Sequence, residues 1–168
     1  MKNISFTASL LGVSLSLCLL ACQQRPIPMS YQTDEKVATI KEFYRIWDAA
    51  DVSAFEKILS KDLIDHEREE KGKISDYENM KQATLRVHAS FSDVKHVPLQ
   101  THFVEGDKVV VYWEHTAVHT GEMAGIAPTN KPIRMKGVDI FKIEDEKITE
   151  IWHVEAIHRI MAQINSEG

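Results

Sequence analysis

The stretch Lys131-Pro-Ile-Arg-Met-Lys-Gly-Val-Asp-Ile-Phe-Lys-Ile-Glu-Asp-Glu-Lys-Ile-Thr-Glu-Ile-Trp-His-Val154 decides the fold. Residues 131–143 and 147–154 read as the two strands of a hairpin, with Asp139 and His153 as polar residues on an otherwise apolar face. Glu144-Asp145-Glu146 supplies the turn of a hairpin. A three-residue loop, Asp145 to Lys147, would pair Glu144 with Ile148 and set Asp139 opposite His153. Asp139, Phe141 and Ile143 then share a face with Thr149, Ile151 and His153. A two-residue turn would send the two polar residues to opposite faces. Side by side in a cavity, a carboxylate and an imidazole can move protons. The same pair can also be a buried ion pair with a structural role only.

The preceding segments extend the same pattern. Val94 to Val104 and Lys108 to His119 flank Glu105-Gly106-Asp107, a second hairpin signal. Val109, Val111, Trp113, His115, Ala117 and His119 share one face of the second strand. Trp113 reads as core that can also contact a ligand, and His119 as a hydrogen-bonding residue at the entrance to a loop. Four residues along a strand span roughly 13 Å, so His115 and His119 cannot both bind one ion, and no metal site is expected. The loop from Gly121 to Pro132 has no phosphate-cradle pattern and reads as a rim or lid.

Helices come before the strands. Thr33-Asp34-Glu35 reads as the start of a helix running to about Ala50, with Val37, Ile40, Phe43, Tyr44 and Trp47 on its apolar side. Ser53-Ala-Phe-Glu56 and Ser75-Asp-Tyr-Glu78 are capping boxes opening two more helices, the second ending near Ser90. Between them lie a short extended piece, Leu63-Ile-Asp65-His66, and a charged run, Glu67 to Lys73, that reads as a solvated loop. Asp65 and His66 read equally as pocket residues or as a strand end in solvent. His88 reads as an ordinary helix-surface residue. Glu155 to Ile164 closes the chain as a short helix. Helices followed by antiparallel strands predict an α+β fold, a curved sheet wrapped against its helices.

The N-terminus reads as an address. Lys2 precedes an apolar run from Ile4 to Leu20, and Leu19-Leu20-Ala21-Cys22 resembles a bacterial lipobox. That resemblance implies a signal peptide over residues 1–21, acylation of Cys22 and a tether over 22–33. The folded domain would then occupy 34–168. Lipid chains contribute roughly 0.8 kcal/mol per buried methylene and anchor a protein without a spanning helix. Gln23 after the cysteine favours the outer membrane of a Gram-negative envelope. Cys18 and Cys22 are the two cysteines of the chain, so a processed protein has no disulfide, Cys-based zinc site or catalytic thiol. The net charge is -5 with no basic run, which argues against nucleic acid as a partner.

Leu63-Ile-Asp-His66, His119-Thr-Gly-Glu-Met-Ala-Gly-Ile-Ala-Pro-Thr129, Gly137-Val-Asp-Ile-Phe-Lys-Ile143 and Lys147-Ile-Thr-Glu-Ile-Trp152 together resemble the SnoaL-like polyketide cyclases. These form a family of the nuclear-transport-factor-2-like superfamily of cone-shaped α+β folds. The resemblance, from Val37 to Ile164, implies a small-molecule ligand and no metal or cofactor. It also implies an intramolecular aldol ring closure on an aromatic polyketide ester, with a homodimer formed through the sheet. The family's acid–base Asp falls on His153 and its supporting His on Asp139. Its Asn falls on Asp65 and its Gln on Gly137. All four residues therefore differ, with carboxylate and imidazole exchanged. His153 is expected as base, Asp139 as its orienting partner, and Asp65, His66, Trp113 and His119 as substrate contacts. The alternative from a different class is a non-catalytic envelope binding or dimerisation module.

Overall fold

The computed structural model describes residues 29–68, 74–97 and 101–166. The expected signal peptide, Cys22 and most of the expected tether lie outside them. Helix α1 runs from Met29 to Asp48 and buries Ile40, Phe43, Tyr44 and Ile46. It begins before the expected start at Thr33, which lies within the helix. A capping residue has non-helical backbone, so Thr33 cannot be the cap. The helix ends where Ala50 turns left-handed, at φ 52, and the Asp51 amide bonds back to the Ile46 carbonyl at 3.1 Å. This is the paired-bond stop that satisfies the last carbonyls of a helix.

The second expected helix is only a 3-10 turn, Ala54–Lys57. Ser53 is itself helical, with φ -70 and ψ -33, and its hydroxyl donates to Asp51 at 2.9 Å, so it does not cap. The turn leads into strand β1, Leu59–Asp65. Helix α2, Asp76–Ser90, begins as expected, with the Ser75 hydroxyl accepting from the Glu78 amide at 3.2 Å. Of the charged run expected to be solvated, residues 69–73 lie outside the described residues. Arg68 is tied down, pairing with Asp76 at 2.7 Å.

The expected strand from Val94 to Val104 is two strands, β2 (Phe91–His96) and β3 (Thr101–Glu105). Both lie along the same edge of β4 (Lys108–His119). β5 (Pro132–Glu144) and β6 (Lys147–Glu155) follow, giving the order β1-β6-β5-β4-β2 with β3 also on β4. β1 pairs with β6 in parallel, and the other pairings are antiparallel. The sheet is a strongly curled half-barrel around the helices, as the α+β pattern predicted. Helix α3, Ile157–Asn165, covers the end of β5 that β6 leaves unpaired. There the Gln163 amide makes both backbone bonds to Arg134, at 2.8 and 2.9 Å, in place of a neighbouring strand.

The β5–β6 hairpin reaches the expected register by a different route. Its turn has two residues, Asp145 and Glu146, with φ 48 and 62, and Glu144 pairs with Lys147. Two consecutive positive-φ residues match the right-handed twist of the flanking strands. A two-residue turn alone would separate Asp139 from His153. A bulge corrects it: Ile143 pairs with Ile148 and Lys142 with Glu150, leaving Thr149 as an extra residue. One inserted residue reverses the facing of all that follows. Asp139 therefore sits opposite His153, and Ile148 takes the buried place expected for Thr149.

Candidate active site

Between the concave sheet face and the helices lies a cavity of about 230 Å³. Its walls are mainly aromatic and aliphatic, with Phe43, Trp47, Met80, Phe91 and Ile160 among them. Strand alternation brings Asp139, Trp113, His115 and His153 to this face, as the β period requires. Asp65, at the end of β1, reaches it from the sheet edge.

Two carboxylates share the cavity in different surroundings. Asp65 accepts from His153 Nε2 at 3.1 Å and from the Glu67 amide at 3.1 Å. Burial works to raise its pKa, but the His153 hydrogen bond and charge outweigh it, and Asp65 is held below the ordinary carboxylate value. The Asp65 hydrogen bond raises the pKa of His153 against the opposing effect of burial. Asp76 braces this dyad by accepting from the Asp65 amide at 2.9 Å while it pairs with Arg68.

Asp139 is 5 % exposed. The Tyr44 hydroxyl donates to its Oδ2. Burial pushes its pKa up to about 6, although the Tyr44 hydrogen bond works the other way. Trp113 contributes in the same direction as Tyr44: its indole N–H lies toward the carboxylate, but Nε1 has no partner in hydrogen-bond geometry. Burial first, and Asp139 next, raise the Tyr44 pKa, so the phenol stays protonated as a donor. Asp139 is thus His153's partner in strand register, while the hydrogen bond that orients His153 comes from Asp65.

Of the other expected contacts, Trp113 lines the cavity and His66 and His119 do not. His66 stacks on Trp152 at 4.1 Å and pairs with Glu150 at 2.7 Å, outside the cavity. His119 is fully buried. Its Nδ1 bonds the Thr129 hydroxyl at 3.0 Å, which ties β4 to the end of the following loop. That is the loop-entrance role expected from sequence. The loop itself sends Met123 to the cavity wall. His88 is half-buried rather than free on a helix surface, with Nε2 on the Trp47 carbonyl at 2.9 Å.

Sequence reasoning missed Tyr44, Glu155 and a second carboxylate–imidazole pair. Tyr44 reads as one more apolar residue on an amphipathic helix. Glu155 Oε1 lies 4.0 Å from His153 Nδ1 and is pushed up chiefly by burial of its carboxyl, although the side chain is 34 % exposed. His96 Nδ1 lies 2.6 Å from Asp48 Oδ1, and Asp48 also accepts the His96 backbone amide. His96 pairs in register with His115. Asp48 stands four residues after Tyr44 on α1, the spacing that faces one side, and was the available signal. The bulged strand carrying His96 gave no clean alternation. Among the described residues no group of three or more His, Cys, Asp or Glu side chains is arranged to hold a metal ion. None of the described helices is long and apolar enough to cross a membrane.

The model of the SnoaL-like polyketide cyclases matches residues 38–164. The chain belongs to this family. Solved structures agree on the fold of this SnoaL-like protein. TsrD from Streptomyces laurentii superposes with a TM-score of 0.69 at 21 % identity, over 80 % of this chain and 97 % of its own. IdmH from Streptomyces antibioticus gives 0.69 at 20 % identity, over 78 % and 99 %. A SnoaL-like polyketide cyclase from Agrobacterium tumefaciens gives 0.63 at only 8 % identity, over 77 % and 98 %. No match is found among curated proteins. In this SnoaL-like chain, three of the four positions carried over by resemblance, Asp65, Asp139 and His153, line one cavity. At the fourth, Gly137, a Cβ would come within 2.2 Å of Trp113 Cζ2, so the indole lies against the glycine.

Proposed function

We propose that the cavity binds a small, uncharged organic molecule and catalyses cofactor-free proton transfer next to a carbonyl or ester group. The observation that carries this reading is the contrast between the two carboxylates. Asp65 is ion-paired and held ionised, whereas Asp139 is desolvated and raised to about 6. Environments that separate two titratable groups in this way assign them different roles. Asp139 is the stronger base of the two and sits close to the pH at which a general base works best. It takes the α-proton, and the electron pair moves to the carbonyl oxygen. His153, whose cationic form the Asp65 hydrogen bond favours, faces that developing negative charge. Its Nε2 is committed to Asp65, so Nδ1–H is the donor left for substrate. This division exchanges the roles expected from sequence, where His153 was the base. Tyr44 holds the carboxylate in place, and the apolar wall keeps its charge unsolvated.

The experiment uses 5-nitrobenzisoxazole, whose ring opening reports proton abstraction by a desolvated base and is followed by the absorbance of its phenolate product. Wild type should accelerate the reaction, with a rate that rises with pH through about 6 as Asp139 ionises. Asp139→Asn should lose at least about tenfold, a conservative share of what a positioned base contributes. Equal rates for wild type and variant would overturn the assignment and leave a binding module without proton transfer.

Two further readings rest on resemblance. The lipobox supports acylation at Cys22 and residence in the bacterial envelope, and Cys22→Ser should abolish both processing and lipid labelling. Continued labelling of that variant would refute it. The outer sheet face exposes Phe103 and Val154 at 66 % and 70 %, the surface on which a second copy would seat. Sedimentation equilibrium tests that dimer directly.

A further inference from the structure

The cavity holds polar groups that the proton-transfer reading does not use. His115 is 5 % exposed and lines the cavity. Neither of its ring nitrogens has a hydrogen-bond partner among the described residues. His96 also lines the cavity; it is held through Nδ1 by Asp48, and its Nε2 has no hydrogen-bond partner among the described residues. The two rings stand 4.9 Å apart, edge to face. Unsatisfied polar groups in a cavity wall call for a ligand atom, because a ligand that displaces their water without replacing its hydrogen bonds binds more weakly.

We propose that His96 and His115 form a second polar subsite that takes an uncharged hydroxyl group on a ring of the ligand. The proposal rests on the cavity being the ligand site, as argued above. A carboxylate oxygen of Asp48 accepts from His96 Nδ1–H, and the tautomer that this bond selects presents Nε2 as an acceptor. His115 is kept neutral by burial, which pulls its pKa down to about 4, and offers one donor and one acceptor. An acceptor beside a donor suits a hydroxyl, which gives one hydrogen bond and receives another. A ketone or ether oxygen cannot donate to His96. A carboxylate cannot donate either, and among the described residues no Lys or Arg lines the cavity to pair with it. Asp139 and Glu155 would also repel it.

The ring is argued from the floor of the subsite. Tyr44 stands 4.7 Å from His96 and Trp113 stands 5.4 Å from it, the separations of aromatic packing. Tyr44 also reaches Asp139, so the aromatic floor joins the two polar ends of the cavity. A ligand fitting both ends carries a carbonyl toward Asp139 and His153, and a ring hydroxyl toward His96 and His115.

Three probes that share one ring test this by calorimetry on the full chain: 4′-hydroxyacetophenone, acetophenone and 4-acetylbenzoate. Wild type should bind the hydroxyl compound about tenfold more tightly than acetophenone, the effect of one or two well-made hydrogen bonds, and should bind the benzoate most weakly. His96→Asn is the incisive variant, because the Asn amide reproduces Nδ1 and its bond to Asp48 while deleting Nε2. His115→Phe keeps the ring and removes both nitrogens. In either variant the preference should fall below about twofold. Equal wild-type affinities, a preference that survives His96→Asn, or tighter binding of the benzoate would each overturn the subsite. If His115→Phe fails to fold, His96→Asn decides alone. In Asp139→Asn the hydroxyl preference should persist. A wild-type protein that abstracts the proton but shows no hydroxyl preference therefore sinks the subsite alone, and one that shows the preference while Asp139→Asn abstracts the proton at the wild-type rate sinks the assigned base alone.

Discussion

Replacing Asp139 by Asn should make the protein more stable as the pH rises. The carboxyl lies between β5, the Tyr44 hydroxyl and the Trp113 ring, and burial moves its pKa from the ordinary 3.8 to about 6. A displacement of that size weakens the native state by about 3 kcal/mol once the group is ionised. Below about pH 4 the carboxyl is protonated in folded and unfolded chains alike, and the residue carries no penalty. Between about pH 4 and 6 the unfolded chain releases its proton first, so native stability falls as the pH rises. Above about pH 6 the penalty is constant. The Asn side chain keeps the shape, and its oxygen still accepts from Tyr44, but it has no charge to desolvate. Asp139→Asn should therefore gain close to nothing at about pH 4 and up to about 3 kcal/mol at about pH 8. Urea unfolding followed by tryptophan fluorescence reads this as a midpoint difference of about 1–2 M that develops across the interval. A difference that stays the same from acid to neutral pH would refute the reasoning, since it would mean that Asp139 ionises as easily in the folded protein as in the unfolded chain. A residue that costs stability and is nonetheless present is what a base held in a dry pocket predicts.

Gly137→Ala should cost about 1–3 kcal/mol by overpacking, because the new methyl would meet the buried indole of Trp113 at 2.2 Å. Its signature is a lowered melting temperature with a shifted tryptophan emission, and unchanged values for both would show that the indole is free to move aside. Asp65→Asn should lower the pKa of His153, read from the imidazole proton shifts by NMR. An identical titration curve would remove Asp65 as the group that orients this histidine. Stability should also drop in that variant, most clearly between the unfolded pKa values of the two groups. Asp65 contributes above its own unfolded pKa, and His153 contributes below its own, with that contribution fading as pH rises through its raised value. Thr129→Val should cost about 1 kcal/mol and speed proteolysis of the loop before β5, since it removes the hydroxyl on buried His119 Nδ1. Cleavage at the wild-type rate would count against a role for His119 in fixing the loop.

The α+β class, the inward face of β4 and the hairpin that carries Asp139 and His153 were readable from the chain alone. The class follows from helical spacing giving way to strands, and burial on one face of a strand writes its period of two into the order of residues. The resemblance of Leu19-Leu20-Ala21-Cys22 to a lipobox is local in the same sense. Partnership was not readable. The chain puts Asp139 and His153 on adjacent strands, but which atoms meet depends on distant elements. Asp65 comes in along the parallel strand β1, 88 positions before His153, and Tyr44 comes from α1, 95 positions before Asp139. The bulge at Thr149 decides whether the two residues share a face at all, and nothing in Ile148-Thr149-Glu150 announces it. His96 and His115 likewise become a pair only when β2 lies down on β4. Along an unbroken strand the order of residues determines which side chains face inward, because that is a matter of local periodicity. The curled sheet decides which of them touch and which lose their water, and so sets the charge each carries, because desolvation and hydrogen bonding depend on everything packed around a group.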